Sequence, residues 1–200
     1  LAAPVAQARK EPAATWQIMR SSDPITGDSR CAVVASDRAA GIRFTRVGAL
    51  YPVVEMNSRL GLLVGVSSGG RIRVPTGDIL WRVDDRPFRE LLASDNPQSH
   101  AGPGQPQAPA GSVEALTAQA MRLAATATAT STMASGAKAR EMLDEMLAGR
   151  SLIYRQLAAT SGFGLPAQAE REVGQLTREG LVPFALDASF RAGLKACGIR

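Results

Sequence analysis

The sequence predicts an α+β fold, an antiparallel β-sandwich or partly open barrel that carries a helical insertion and a C-terminal helix. The first indication is in residues 60–83, where Leu60, Leu62, Val64 and Val66 recur at every second position, the period of a strand with one buried face. The second is that strand-like segments bounded by Gly, Pro and Asp lie on both sides of an alanine-rich block. Strands from both sides are therefore expected to share one core.

Several segments before the alanine-rich block have the composition and the alternation of short strands. The predicted strands are residues 16–19, 31–35, 42–47 and 52–56. Residues 60–83 are then predicted to fold as a three-stranded meander, with strands 60–66, 71–74 and 79–83 separated by turn residues at 68–70 and 75–78. Pro87 favours a single helical turn over residues 86–92.

The composition changes at residue 94. Pro, Gly and polar residues dominate 94–112 and offer little surface to bury, so we expect a surface loop there. Residues 113–149 follow as a helical insertion on the outside of the β domain, with helices capped by Ser112 and Ser135 and a stop at Gly149. Within it, alternation favours a strand over residues 124–132 whereas alanine favours a helix, and a helix is the expectation we adopt.

The strand pattern returns after the insertion. Strands are predicted over 151–157 and 181–186, a helix over 166–178, and a second helix over 188–197 at the end of the sequence. Pro183 places the last strand at an edge or a bulge. The expected organisation is a β-rich core domain of residues 13–93 and 150–200, preceded by a leader over 1–12, and 200 residues are enough for one such domain.

The two cysteines, Cys31 and Cys197, lie near opposite ends of the sequence. In an oxidising compartment they are expected to form one disulfide, which in the chain-entropy model stabilises the fold by about 5 kcal/mol at most. In the cytosol they would instead be buried thiols. Residues 1–8 end in Ala-Gln-Ala, which is typical either of a signal-peptide remnant or of a flexible Ala/Pro leader. We expect a periplasmic or secreted protein with the disulfide formed.

The net charge is +5 and the sequence pI is about 9.9, which favours an anionic partner. The basic residues are scattered without a basic run, so nucleic acid is not the expected partner. Alternating residues of the predicted strands give one candidate patch for an anionic partner, Arg43, Arg46, Arg71 and Arg73. No apolar run approaches the roughly 18 residues that a transmembrane helix requires.

Two short motifs suggest a nucleophilic serine. Residues 65–69 match G-x-S-x-G around Ser67, but a strand pattern follows where the nucleophile elbow needs a helix. Residues 135–138 match S-x-x-K with Ser135 and Lys138, but no Lys-Thr-Gly motif accompanies them, so a helix cap is the expectation. Metal-ligand spacings, phosphate loops and dinucleotide fingerprints are absent from the sequence. We therefore predict no catalytic residue, no metal and no cofactor.

Trp16, the Asp23-Pro24 turn before Cys31, and residues 184–194 (FALDASFRAGL) resemble the invasion-associated locus B family. These are small exported bacterial proteins with a β-rich fold and, in pathogens, a link to host-cell invasion. The likeness covers residues near 16–35 and 181–196. It implies export and a β-rich fold, and it carries over no catalytic residue.

These observations favour a non-enzymatic exported protein that binds a protein or envelope component through the surface of a β-sandwich. Two alternatives stay open. One is a serine hydrolase that uses Ser67 or Ser135, and the other is a basic module that binds an anionic polymer.

Overall fold

The computed structural model describes residues 15–35, 50–69, 73–97, 112–157, 171–173, 175–177 and 180–200. Its strands are β1 (Trp16–Ser22), β2 (Ser29–Ala35), β3 (Leu50–Asn57), β4 (Gly61–Ser68), β5 (Ile79–Val83), β6 (Arg89–Leu91), β7 (Ser131–Ser135), β8 (Ser151–Gln156), β9 (Arg171–Val173), β10 (Gln175–Thr177), β11 (Gly180–Val182) and β12 (Phe184–Ala185). The helices are a 3-10 turn (Ala93–Asp95), α1 (Val113–Thr128), α2 (Gly136–Ala148) and α3 (Ala188–Ala196).

The strands form two main antiparallel sheets. The first sheet has the order β1-β2-β3-β4-β7. The second sheet has β6, β5 and β8 in sequence, and both β12 and β9 pair with the remaining edge of β8, while β10 and β11 form a separate hairpin. Within the described ranges neither sheet closes into a barrel. The predicted α+β class with a sandwich-like arrangement and a C-terminal helix is therefore confirmed.

The predicted meander over residues 60–83 is wrong, because its first and last strands belong to different sheets. β4 lies in the first sheet and β5 in the second, and residues 73–78 form no strand. The chain between them is held by one hydrogen bond to a side chain at the end of β4 and by one backbone hydrogen bond to the residue that follows α1. The Ser68 hydroxyl accepts the Val74 N–H at 2.9 Å, and Thr76 N–H donates to the Ala129 carbonyl at 3.0 Å. These contacts guide the crossover from one sheet to the other.

Residues 113–149 are not an outer decoration, as the sequence suggested. The helix expected over 124–132 ends at Thr128, and β7 begins at Ser131 and pairs antiparallel with β4. Gly65 permits this approach, since a Cβ on it would lie 2.1 Å from the Thr132 carbonyl oxygen. The following helix α2 then adds its apolar face to the core, through Ala139, Met142, Leu143 and Met146.

Two further local predictions are corrected, and two regions stay untested. Residues 86–92 contain the strand β6 instead of a helical turn. Of the helix predicted over 166–178, the described residues form the strands β9 and β10. The strand predicted over 42–47 and the loop residues 98–111 lie outside the described residues. The strands predicted near residues 16, 31, 52 and 151, and the helix that begins at Ala188, are confirmed.

An aromatic stack occupies the centre of the core between the sheets. The rings of Trp81 and Tyr154 have centroids 6.0 Å apart, and those of Tyr154 and Phe184 are 5.8 Å apart. The Tyr154 hydroxyl donates to the Leu50 carbonyl at 2.6 Å, which links the second sheet to the first. Buried aromatic pairs of this kind contribute about 0.5–1.5 kcal/mol beyond the area that they bury.

The C-terminal residues return to β1, as predicted. The Trp16 indole donates to the Ala185 carbonyl at 2.7 Å, and Trp16 N–H donates to the Ser189 hydroxyl at 3.0 Å. The Asp187 carboxylate caps α3 by accepting the N–H groups of Ser189 and Phe190. Because α3 buries Phe190 and Leu194 in the same core, the early and late segments form one scaffold.

Candidate binding site

A disulfide joins the C-terminal end of α3 to the second strand of the first sheet. Cys31 and Cys197 are bonded, with their Cα atoms 5.5 Å apart, so the predicted bridge is confirmed. The helix can lie this close to the sheet because Gly193 faces Val33, and a Cβ on that glycine would lie 2.7 Å from a Val33 methyl group. The bridge thus marks one end of the sandwich.

A groove of about 520 Å³ opens at this end. Its described lining comes from the tips of β1 and β2, from the start of the β3–β4 turn, and from the disulfide: Arg20, Ser21, Ser22, Ser29, Arg30, Cys31, Met56, Ser58 and Cys197. None of these residues is acidic. The groove therefore has the Arg20 guanidinium and serine hydroxyls beside the disulfide and Met56.

The two arginines of the groove lie on opposite faces of the β1–β2 hairpin. Arg20 is paired with Cys31 in the register of the two strands, so it shares the α3 face, and its guanidinium donates to the Ala196 carbonyl at 2.7 Å. Arg30 is paired with Ser21 and donates to that hydroxyl at 2.6 Å. No described carboxylate forms an ion pair with either arginine. Each guanidinium keeps donors for an anionic group from outside.

The serine hydroxyls and the turn hold the groove in shape. Ser29 N–H donates to the Ser58 hydroxyl at 3.0 Å, and Ser58 N–H donates to the Ser29 carbonyl at 2.9 Å. In the hairpin loop, the Asp23 carboxylate accepts the N–H groups of Ile25 and Thr26, and these hydrogen bonds lower its pKa below the ordinary value. The β1–β2 hairpin is thus stabilised within its own loop by Asp23 and at the β3–β4 turn by Ser58.

The groove is not the patch that the sequence suggested. Arg43, Arg46 and Arg71 lie outside the described residues, and Arg73 is exposed before β5 and does not line the groove. The alternation within a single strand does not indicate Arg20 or Arg30, because their positions depend on the register between β1 and β2. The cue was available, since a basic residue stands beside serines on both flanks of the 23–28 turn and next to Cys31.

Ser67 lies within a regular strand. It pairs with Tyr51 on one side and with Ser131 on the other, and its hydroxyl lies 3.4 Å from the Ser68 carbonyl. A nucleophile elbow requires a sharp turn at the serine that exposes the hydroxyl. The strand instead continues through Ser68, so the match at residues 65–69 reflects the glycine that β7 needs at position 65.

Ser135 and Lys138 line a second, smaller cavity. It has a volume of about 100 Å³ and is shared with Asp95, Leu91 and Leu92 among others. Ser135 stands at the N-cap position of α2, but its side chain makes no capping hydrogen bond. Lys138 pairs with Asp95 at 4.0 Å. The side chains that catalysis by S-x-x-K requires are therefore near each other, yet the lysine is engaged by a carboxylate.

Another aspartate, Asp84, has a structural role. Burial raises the pKa of Asp84, but hydrogen bonds from the Ser151 hydroxyl and from the N–H groups of Arg150 and Ser151 lower it by more, so the net shift is downward. Asp84 thus stabilises the start of β8. Among the described residues, no group of three or more His, Cys, Asp and Glu side chains is arranged to hold a metal ion.

A comparison of the chain with protein-family models, with curated proteins and with solved structures found no match. None of the described helices combines the length and the apolar composition that crossing a bilayer requires.

Proposed function

We propose that this is an exported, periplasmic or secreted, non-enzymatic protein that binds another macromolecule at the groove beside the disulfide. The observation that carries the proposal is the groove itself. On the Cys31 face it holds the Arg20 guanidinium, for which no described carboxylate is an ion-pair partner, together with several serine hydroxyls and no acidic side chain among its described lining. Such a lining is suited to carboxylates, because charge-assisted hydrogen bonds from guanidinium are about twice as strong as neutral ones.

The partner that best fits this site is an acidic segment of a protein or an envelope component. A net charge of +5 attracts an acidic partner over longer distances, while the arginines at the groove select where it binds. Nucleic acid is less suitable, since the sequence offers no extended basic stripe along which a phosphate backbone would lie.

Export is supported by the disulfide, because such bonds persist in oxidising compartments and are rare in the cytosol. The resemblance to the invasion-associated locus B family points in the same direction. Cell fractionation tests this part of the proposal. Recovery of the native chain from the periplasm or medium with no free thiol supports export, whereas recovery from the cytosol with two free thiols contradicts it.

Binding is tested with poly-L-glutamate as an acidic peptide probe, measured by fluorescence anisotropy at low and physiological salt. Arg20→Gln is expected to weaken binding about fivefold, the upper end for an exposed ion pair, and Arg30→Gln is expected to weaken it less because its side chain lies on the other face of the hairpin. Arg59→Gln is the matched control, because Arg59 is exposed, pairs with Asp28 and does not line the groove. Equal losses in all three variants would show that net charge, and not the groove, accounts for the binding.

A second function, a basic module for an anionic polymer, is favoured by the same arginines. The two functions differ in length dependence. A module for a polymer gains affinity as poly-L-glutamate or heparin is lengthened, with a steep dependence on salt, whereas a discrete groove saturates with an oligomer of a few residues.

A further inference from the structure

The Cys31–Cys197 disulfide is part of the surface of the groove. Both cysteines are half-buried, and both line the groove. Residues that are paired across an antiparallel sheet lie on the same face, so Arg20, which is paired with Cys31, lies on the same side of the hairpin as the bridge. Met56 is paired with Cys31 from β3 and shares this side. The bridge is therefore accessible to a molecule in the groove while the chain stays folded.

The polar groups around the bridge suit a small anionic molecule. Ser22 and Ser29 are paired in the same register and share the face of Arg20. The described lining contains no acidic side chain, and guanidinium and hydroxyl groups are donors to a carboxylate. The groove volume of about 520 Å³ lies within the range of about 300–1,000 Å³ that is typical of small-molecule sites. This face of the hairpin thus combines donors for a carboxylate with an accessible disulfide.

We propose that the groove is a site of thiol–disulfide exchange for a small anionic thiol, which attacks Cys197 and releases Cys31. The sulfur of the incoming thiolate forms a bond to Cys197 Sγ, the bond between Cys197 and Cys31 breaks, and its electron pair stays on Cys31 Sγ. The proton of the incoming thiol goes to solvent. A second molecule of the thiol then attacks the mixed disulfide. Both cysteines are then reduced, and the two thiol molecules are joined by a disulfide.

The surroundings of the two sulfur atoms differ, and they favour Cys31 as the leaving group. A thiolate leaves more readily where its negative charge is stabilised. Cys197 is the C-cap residue of α3, so a thiolate there would face the negative end of the helix. Cys31 belongs to a strand and is paired with Arg20, whose guanidinium lies near the end of α3 because it donates to the Ala196 carbonyl at 2.7 Å. Attack at Cys197 is therefore preferred.

The chain can stay folded after the bridge has opened. Phe190, Leu194 and Ile199 are buried in the core between the sheets. Ile199 N–H also donates to the Leu194 carbonyl at 2.9 Å, which holds the residues after α3 against the helix. These contacts do not involve the sulfur atoms. The exchange therefore opens the wall of the groove and leaves α3 attached to the sandwich.

Reduction of the full chain by glutathione, an anionic thiol, tests whether exchange occurs in the folded protein. The chain is incubated with reduced glutathione in the absence of denaturant, and its free thiols are measured over time. The rate is expected to rise in proportion to the glutathione concentration. A rate independent of that concentration, or no reduction until urea is added, would overturn the proposal, because the bridge would then open only in the unfolded chain.

The sulfur that is attacked is identified by peptide mass spectrometry after an acid quench. The glutathione adduct at Cys197, with Cys31 free, is expected to exceed the reverse adduct about threefold, from the effect of a charge at the end of a helix. Equal amounts of the two adducts, or an excess at Cys31, would overturn the assignment.

Arg20→Gln tests the selection of an anionic thiol. The rate of reduction by glutathione is expected to fall about fivefold, because an exposed charge pair with the thiol is lost as well as the stabilisation of the leaving thiolate. With the uncharged thiol mercaptoethanol only the second effect remains, and the expected loss is about twofold. Arg59→Gln is the matched control and is expected to change neither rate, since Arg59 is exposed and does not line the groove.

Equal losses in Arg20→Gln with the two thiols, or no loss with either, would overturn the selection of an anionic thiol. These experiments use no macromolecular partner. Their failure can therefore be distinguished from a failure of the chain to bind poly-L-glutamate.

Discussion

The two edges of the first sheet differ in how their polar groups are used. At the β7 edge, the Thr132 hydroxyl donates to the Gly77 carbonyl at 2.6 Å and lies 2.8 Å from the Thr76 hydroxyl. At the β1 edge, the bond from Asp23 N–H to the Asp28 carbonyl continues a register in which odd-numbered residues bond β2, so the backbone groups of Ile18, Arg20 and Ser22 point outward. The first edge therefore uses its polar groups to hold the fold together. The second leaves donors available beside a basic groove, which is where we place binding.

Removal of the disulfide tests whether the groove and the sheet near β1 depend on the covalent bond between β2 and the end of α3. Replacing both Cys31 and Cys197 by serine is expected to lower the free energy of unfolding by about 2–5 kcal/mol, because the bridge restricts the unfolded chain. Urea denaturation measures this loss. The groove is expected to lose its affinity for poly-L-glutamate at the same time, since Cys197 forms part of its wall. An unchanged denaturation midpoint would contradict the account of this end.

A substitution at Gly65 tests the packing of β7 against β4 at the other edge of the first sheet. Gly65→Ala is expected to destabilise the fold by about 3 kcal/mol, since the added Cβ would overlap the Thr132 carbonyl and force β7 away from β4. Gly61→Ala is the control, because Gly61 has a φ of +72° and open space around its Cα. Its expected loss is only about 1–2 kcal/mol, the strain of a left-handed non-glycine residue. If the two variants were equally stable, close packing at β7 would not be the reason for the glycine.

Asp187 tests the junction between β12 and α3. Burial raises the pKa of its carboxyl, but hydrogen bonds from Ser189, Phe190 and Thr15 lower it by more. Its stabilising contribution is therefore complete above the unfolded-state pKa of about 3.9 and is lost as the pH falls through the lower folded value. Asp187→Ala is expected to cost about 1 kcal/mol at pH 7. The difference between variant and native chain is expected to shrink in acid, and a constant difference from pH 7 to pH 2 would contradict this role.

The smallest expected effect is the labelling of Ser135 by a serine-reactive probe. A fluorophosphonate probe is expected to leave both Ser135 and Ser67 unlabelled, because Lys138 is paired with Asp95 and Ser67 lies within a strand. Intact-mass measurement checks this. Labelling of Ser135 that disappears in Lys138→Met would favour the hydrolase alternative over the binding function.

The sequence allowed prediction of the features that depend on local pattern. Alternation located the strand that contains Val64 and Val66, and the spacing of Phe190 and Leu194 located α3. The disulfide followed from the presence of two cysteines and from the expectation that the protein is exported. What escaped prediction depends on long-range contacts. β7 forms from the ambiguous Ala/Thr tract because Gly65 lets it approach β4. This contact depends on a distant residue, so the local propensities of the tract do not predict it. The position of Arg20 beside Cys31 and Cys197 likewise depends on the hairpin register and on the return of α3.

The most direct test of binding at the β1 end is an NMR titration of the isotopically labelled chain with poly-L-glutamate. Backbone amide shifts are expected at residues 20–22, 29–31, 58 and 197, with the amides of β7 unchanged. Shifts centred on Arg73 or on the cavity beside Ser135, with residues 20–22 and 29–31 unaffected, would contradict this account.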